Sequence, residues 1–204
     1  MIWEGAIAFF GLLLLLAIVP GPTDAMVVAQ AVRRGYGAAW GVIVGVVLAD
    51  WLMIALVLVG FEVWVDFFEL HQRFLVWISA LLLTGLAISI FRSAGRTETE
   101  AEPAGNGGVR SGLAGGFLVT FVDPEALAFY CGVLPTFVSP GEVGLGETVF
   151  LGGVVSVLIC GVKGTYAWLA VHGIRSKMAP RTQKTVLRGV ALVMLAMAGW
   201  IILR

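Results

Sequence analysis

Asp24 follows directly on Val19-Pro20-Gly21-Pro22-Thr23, inside an apolar run that offers a carboxylate no water. Pro20 and Pro22 each lack a backbone N–H and clash with the preceding turn, and Gly21 between them loosens the backbone further. A helix that reaches these residues breaks or kinks. The combination returns at Phe121-Val122-Asp123-Pro124-Glu125, where two carboxylates flank one proline. Asp50 closes the run Gly41-Val42-Ile43-Val44-Gly45-Val46-Val47-Leu48-Ala49, and Lys163 stands with Ser156, Cys160, Gly161 and Thr165 in another apolar stretch. A carboxylate shielded from water takes a proton, an ammonium group or a metal cation, and a shielded lysine takes an acid. The N-terminus of a half-helix adds a partial positive charge that draws anions. The candidate site is therefore Pro20, Gly21, Pro22, Asp24, Asp50, Asp123, Pro124, Glu125 and Lys163.

Each of these residues also has a purely structural reading. The Pro20-Gly21-Pro22 break serves packing, or it opens a discontinuous helix onto a wet cavity, since freed carbonyls cannot face lipid. Asp123 caps the half-helix after it through the first backbone N–H groups, or it serves ligand chemistry. Asp50 lies about 12 residues from the inner end of its span, roughly 18 Å deep at 1.5 Å per residue. At that depth it is fixed by a structural partner or carries a proton. Lys163 either snorkels its ammonium to the nearer membrane face, about eight residues away, or pairs with a carboxylate. Asp50, in the matching helix of the other half of the chain, is the expected partner.

The elements that must hold these residues are helices in a bilayer. Of the 204 residues, 59% are hydrophobic and 13% charged, against about 25% charged in a soluble domain. The expected fold is all-α and integral to the membrane, with six transmembrane helices near 3–31, 38–61, 74–92, 112–138, 147–171 and 186–203. The first and fourth are expected to break at their prolines. The first segment reads as a retained helix rather than a signal peptide, because its early charge is Glu4 and it lacks a basic leader. Residues 93–111 carry Arg96, Glu98, Glu100, Glu102, Pro103 and several glycines, and read as a cytoplasmic linker. They divide the chain into a first three-helix repeat, 1–92, and a second, 112–204. An odd number of crossings per half makes such repeats inverted.

Charge orients the assembly. With both termini outside, the inner loops hold Arg33, Arg34, Arg92, Arg96, Arg110, Arg175, Lys177, Arg181, Lys184 and Arg188, and the outer side only Arg73 and Arg204. That asymmetry follows the positive-inside rule and points to a plasma membrane crossed several times. The glycines four apart in the second span, Gly41 and Gly45, form a close-packing face, and glycine faces of this kind suit a homodimer. Cys131 and Cys160 have no metal-binding or redox spacing, so they read as inert core residues and predict no disulfide and no cofactor. His71, in an outer loop, and His172 read as solvated. No HExxH, P-loop, GxSxG or CxxC occurs, so hydrolase, ATPase and redox chemistry lack support, and the balanced net charge points to no nucleic-acid partner.

Pro20-Gly21-Pro22, the Arg33-Arg34-Gly35 turn, the Gly41…Gly45…Asp50 span and the stretch Gly116-Phe117-Leu118-Val119-Thr120-Phe121-Val122-Asp123-Pro124 occur in order, followed by Leu134-Pro135-Thr136-Phe137-Val138. Together they resemble the lysine-exporter (LysE/RhtB) family of efflux translocators. The resemblance implies a six-helix exporter of amino acids or similar small solutes, driven by an ion gradient. The family usually carries Asn-Pro-Lys where this chain has Asp123-Pro124-Glu125, and often Asn where it has Thr23. On this reading half-helix N-termini hold the solute's carboxylate, and Asp24, Asp50, Asp123 or Glu125 holds its amino group or the coupling proton. The alternatives are a divalent-cation exporter using the carboxylates as oxygen ligands, and a membrane thiol-redox protein using Cys131 and Cys160.

Overall fold

A computed structural model of the chain describes residues 2–94, 106–137 and 144–203. Every element in it is helical: α1 (Ile2–Ile18), α2 (Pro22–Arg34), α3 (Tyr36–Ala94), α4 (Asn106–Phe121), α5 (Pro124–Phe137), α6 (Leu145–Arg175) and α7 (Pro180–Leu203). Four segments are long and apolar enough to cross a bilayer: Tyr36–Leu58, Arg73–Arg92, Leu145–Arg175 and Arg181–Leu203. The count rises to six if each of two bent pairs, α1 with α2 and α4 with α5, makes one crossing. Most of the expected linker, residues 95–105, lies outside the described residues, and α4 already begins at Asn106 within the stretch read as linker. Glu142, Arg204 and the side chain of Glu4 also lie outside them.

Both bends have a local cause. Helix α1 stops at Ile18, and α2 resumes at Pro22 with its axis turned by 52°. Helix α4 stops at Phe121, and α5 resumes at Pro124, again turned by 52°. Proline at the first position of a helix costs nothing, because the N–H it lacks has no acceptor there. The same proline cannot continue the helix before it.

One expectation needs correcting. The connection between the second and third spans, read as an outer loop holding His71, stays helical, and the change of direction is concentrated at Gly60 (φ −134°, ψ 44°). The reason lies in its composition: residues 61–73 contain neither glycine nor proline and many residues that tolerate a helix. His71 accordingly lies on a helix surface, its ring stacked 4.4 Å from Phe67.

Small residues set the register of the bundle. A Cβ on Gly41 would strike the backbone of Val109, and one on Gly45 the backbone of Leu113 and Phe117. Conversely, a Cβ on Gly112 would strike Ala38 and Val42, and one on Gly116 the Val42 backbone. Partners advance together along both chains, so the first part of α3 and α4 run parallel with their backbones touching. Lipid gives apolar helices no hydrophobic reason to associate, and close packing at small residues supplies the attraction instead. The close-packing face of Gly41 and Gly45 is thus occupied within the chain. Against α6 the order reverses: Trp40 faces Gly164, while Trp51 faces Gly152. Helices α3 and α6 are therefore antiparallel. Phe9 in α1 packs on Phe129 and Phe137 of α5, with ring centroids 5.3 and 5.8 Å apart, so the first piece of one bent pair rests on the second piece of the other.

This register yields a stability test. Gly45→Ala forces α3 and α4 apart and is expected to lower the unfolding temperature of the detergent-solubilised protein, at a cost of about 1–3 kcal/mol. Gly85→Ala, whose added methyl meets nothing within 4 Å, is expected to leave that temperature unchanged or to raise it.

Candidate functional site

The first break positions two polar side chains in the interior. Gly21 is extended (φ −113°, ψ −174°), and its N–H donates to Asp24 Oδ2 at 2.9 Å. Asp24 thus satisfies a donor at the start of its own helix, where a negative charge is also favoured by the helix dipole. Its other oxygen, Oδ1, accepts from Lys163 Nζ at 2.8 Å. Lys163 also donates to Thr23 Oγ1 at 2.7 Å. Thr23, Asp24 and Lys163 are all buried. The carbonyl of Ile18, freed by the break, accepts from the Tyr166 hydroxyl at 2.8 Å, one turn along α6 from Lys163.

Lys163 therefore neither snorkels nor pairs with Asp50. It belongs to the buried stripe of α6 that includes Val155, Ile159 and Ala167, so its side chain points into the bundle rather than along its surface. The antiparallel register explains the choice of partner. Trp51, next to Asp50, donates through Nε1 to Ser156 Oγ at 2.8 Å, and the Ser156 hydroxyl donates in turn to the Gly152 carbonyl at 2.7 Å. Asp50 thus stands level with the region of Ser156, about two helical turns from Lys163. Asp24 stands level with Lys163.

The second break is built differently. Asp123 Oδ1 accepts from Glu125 N at 3.0 Å, so Asp123 caps α5, the structural role weighed for it above. Pro124 is half-buried beside it, and Glu125 and Pro20 face outward. A wider, π-type turn over Phe129–Val133 interrupts α5 and carries Tyr130, which is buried next to Asp50. Turns of this kind re-aim side chains and recur at functional sites. The interior thus has two polar centres: Asp24 with Lys163 at the first break, and Asp50, with the unexpected Tyr130 next to it, beside the second.

The family model described as LysE type translocator matches residues 14–204. The chain belongs to this family. A membrane protein of Synechocystis sp., described as uncharacterized, is 28% identical to it over 172 residues, covering 82% of this chain and 81% of that one. No solved structure matches. The matched region includes both breaks, Asp50 and Lys163, so both polar centres lie inside the part of the chain that carries the translocator family's pattern.

Within this translocator's interior, three contributors escaped the reading of the sequence: Thr23, Tyr130 and Tyr166. Thr23 could have been found, because it adjoins Asp24 and its hydroxyl suits an ammonium group. Tyr130 left a fainter signal, a phenol within an apolar stretch shortly after Pro124. Its orientation depends on the π-type turn, which no local pattern announces. Tyr166 lies one helical turn after Lys163 and shares its face.

Removing one partner of a buried ion pair strands the other and costs about 3–5 kcal/mol. Lys163→Met is therefore expected to lower the unfolding temperature sharply. Adding Asp24→Asn to it should recover much of the loss, whereas adding Asp50→Asn should not. Recovery with Asp50→Asn instead would show that Lys163 pairs with Asp50.

Proposed function

We propose that this translocator is a secondary-active exporter of amino acids or similar small solutes, coupled to protons, in a prokaryotic plasma membrane. The observation that carries the reading is the buried Lys163–Asp24–Thr23 cluster at the first break. Charged groups at membrane depth are costly, and where they persist they mark solute and proton pathways. Here they adjoin the N-terminus of a half-helix, a position suited to a solute's carboxylate. Membership of a translocator family supports the same class of activity.

The architecture proposed with it counts each bent pair as one span, giving six spans in two inverted three-helix repeats, 1–92 and 112–204. The equal 52° bends, each followed by proline at the first position of the next helix, support that symmetry. The basic residues at the ends of α2, α6 and the start of α7 support an orientation with both termini outside.

The divalent-cation alternative needs several oxygen ligands converging on one point. Among the described residues no three His, Cys, Asp or Glu side chains gather in that way. Asp24 is engaged by Lys163 and Asp123 by its own helix. The thiol-redox alternative needs two apposed cysteines, and no disulfide joins Cys131 to Cys160.

Cells expressing the protein and preloaded with a panel of amino acids are expected to export one chemical class of them faster than control cells. A protonophore should abolish the difference, and Lys163→Met, expressed to the same level, should reduce efflux to the control rate. Accelerated efflux of divalent metals in place of amino acids, or none of either from well-folded protein, would overturn the reading.

A further inference from the structure

Most polar groups in this interior have their partners. Lys163 is held by Thr23 and Asp24, Trp51 by Ser156, and Asp123 by Glu125 N. Asp50 is different. It is 4% exposed, and its Oδ2 has no hydrogen-bond partner. The Tyr130 side chain, also buried, lies next to its carboxyl group. An ionised carboxylate accepts at both oxygens, so half of its capacity is unspent.

The surrounding charges do not neutralise it. Two others act on Asp50, those of Lys163 in α6 and Asp123 at the second break. Lys163 is directly bonded to Asp24 about two turns away, and Asp123 is itself a carboxylate. Helix α2 presents Asp24, which is already paired. Helix α7 carries Arg181, Lys184 and Arg188 in its first turns, and Arg73 and Arg92 stand at the two ends of their span. A second unspent oxygen lies close by. Gly116 meets Val42, so Thr120, one turn further on α4, stands level with Val46, about one turn before Asp50. Thr120 is buried, and its Oγ1 also lacks a partner.

A buried carboxylate without a counter-ion is costly, and the cost is removed by a proton or by a bound cation. Two neighbouring acceptors suit a cation bearing several N–H groups, which is what an ammonium group offers. The two occupants exclude each other. A proton on Oδ2 removes the charge that would hold an ammonium, and an ammonium supplies the compensation that the proton gave. We propose that Asp50 Oδ2 is one shared site for which a proton and the amino group of the exported solute compete, with Tyr130 as the residue that positions the carboxylate. When the ammonium arrives, the Oδ2–H bond breaks, the electron pair stays on the carboxylate, and the proton leaves to the water on the side then open. This rests on the exporter reading and gives it a coupling step: one carboxylate cannot carry both occupants in the same direction.

The test uses the full chain in detergent, with L-leucine, L-lysine and 2-hydroxy-4-methylpentanoate (leucine with a hydroxyl in place of its amino group) as probes. Binding is followed by tryptophan fluorescence across a pH series. The expected result is that an amine probe binds and the hydroxy acid does not. The apparent Kd of the amine probe should rise by about tenfold per pH unit toward the acid end, as competition with one proton requires. Asp50→Asn should weaken binding and flatten that dependence. Asp50→Glu should keep the dependence with a displaced midpoint, which carries the test even if Asp50→Asn does not fold. Tyr130→Phe should also keep the slope and displace the midpoint, a readout that a merely structural role would not move. Amine binding with an unchanged pH slope in Asp50→Asn, or equal binding of leucine and its hydroxy analogue, would overturn this proposal alone. Binding of no amine probe by the wild type would overturn it together with the amino-acid exporter reading.

Discussion

A full positive charge on Lys163, buried in α6, has to be met by something, and the fold brings the start of α2 to it. Asp24 Oδ1 lies 2.8 Å from the ammonium and Thr23 Oγ1 2.7 Å. Asp24 reaches that position because α1 has already ended, which leaves the Gly21 N–H to be satisfied by the second oxygen of the same carboxylate. One side chain therefore closes the helix start and neutralises the lysine. Tyr166 deals with the other end of the break by donating to the Ile18 carbonyl. A gap in a helix within the bilayer requires every freed group to find a partner in the protein. Here α6 supplies one of those partners, Tyr166, and from the adjacent turn its Lys163 binds the carboxylate that serves as the other, so its position and that of the broken helix are set together.

The glycine contacts between α3 and α4 determine what else can happen in this interior. Backbones that touch at Gly41, Gly45, Gly112 and Gly116 fix how far each helix slides past the other. That register leaves Asp50 next to Tyr130 and level with Ser156, about two helical turns along α6 from Lys163. Two acidic residues of the same interior thus have opposite circumstances. Asp24 is fully engaged, while Asp50 keeps a free oxygen. The bundle thus holds one satisfied pair and one acid with an unspent oxygen. In the proposed exporter the first is the scaffold that holds its shape and the second the site that exchanges its occupant.

Pro22 and Pro124 each begin a helix, a position at which proline acts locally whatever surrounds it, so these two helix starts could be read from the sequence. The apolar stretches were legible for a similar reason, since bilayer thickness sets their length. The partner of Lys163 was not. Pairing between distant helices depends on their rotation and register, and here those depend on glycine contacts over long sequence separations. The helical connection through His71 was misread because a polar stretch between apolar ones suggests a loop, although residues 61–73 lack the glycine or proline that would enforce one. Tyr130 stayed hidden because its aim depends on a π-type turn that has no sequence signature.

The bond between Lys163 and Asp24 can be measured without any assumption about transport. The chain has three lysines, at 163, 177 and 184. In protein labelled with ¹⁵N at lysine Nζ and ¹³C at aspartate Cγ and reconstituted in lipid, solid-state NMR can detect a through-space correlation between the two. The expected result is a strong lysine–aspartate correlation that disappears in Asp24→Asn and survives in Asp50→Asn. A correlation that survives in Asp24→Asn and disappears in Asp50→Asn, or none in the wild type, would contradict it.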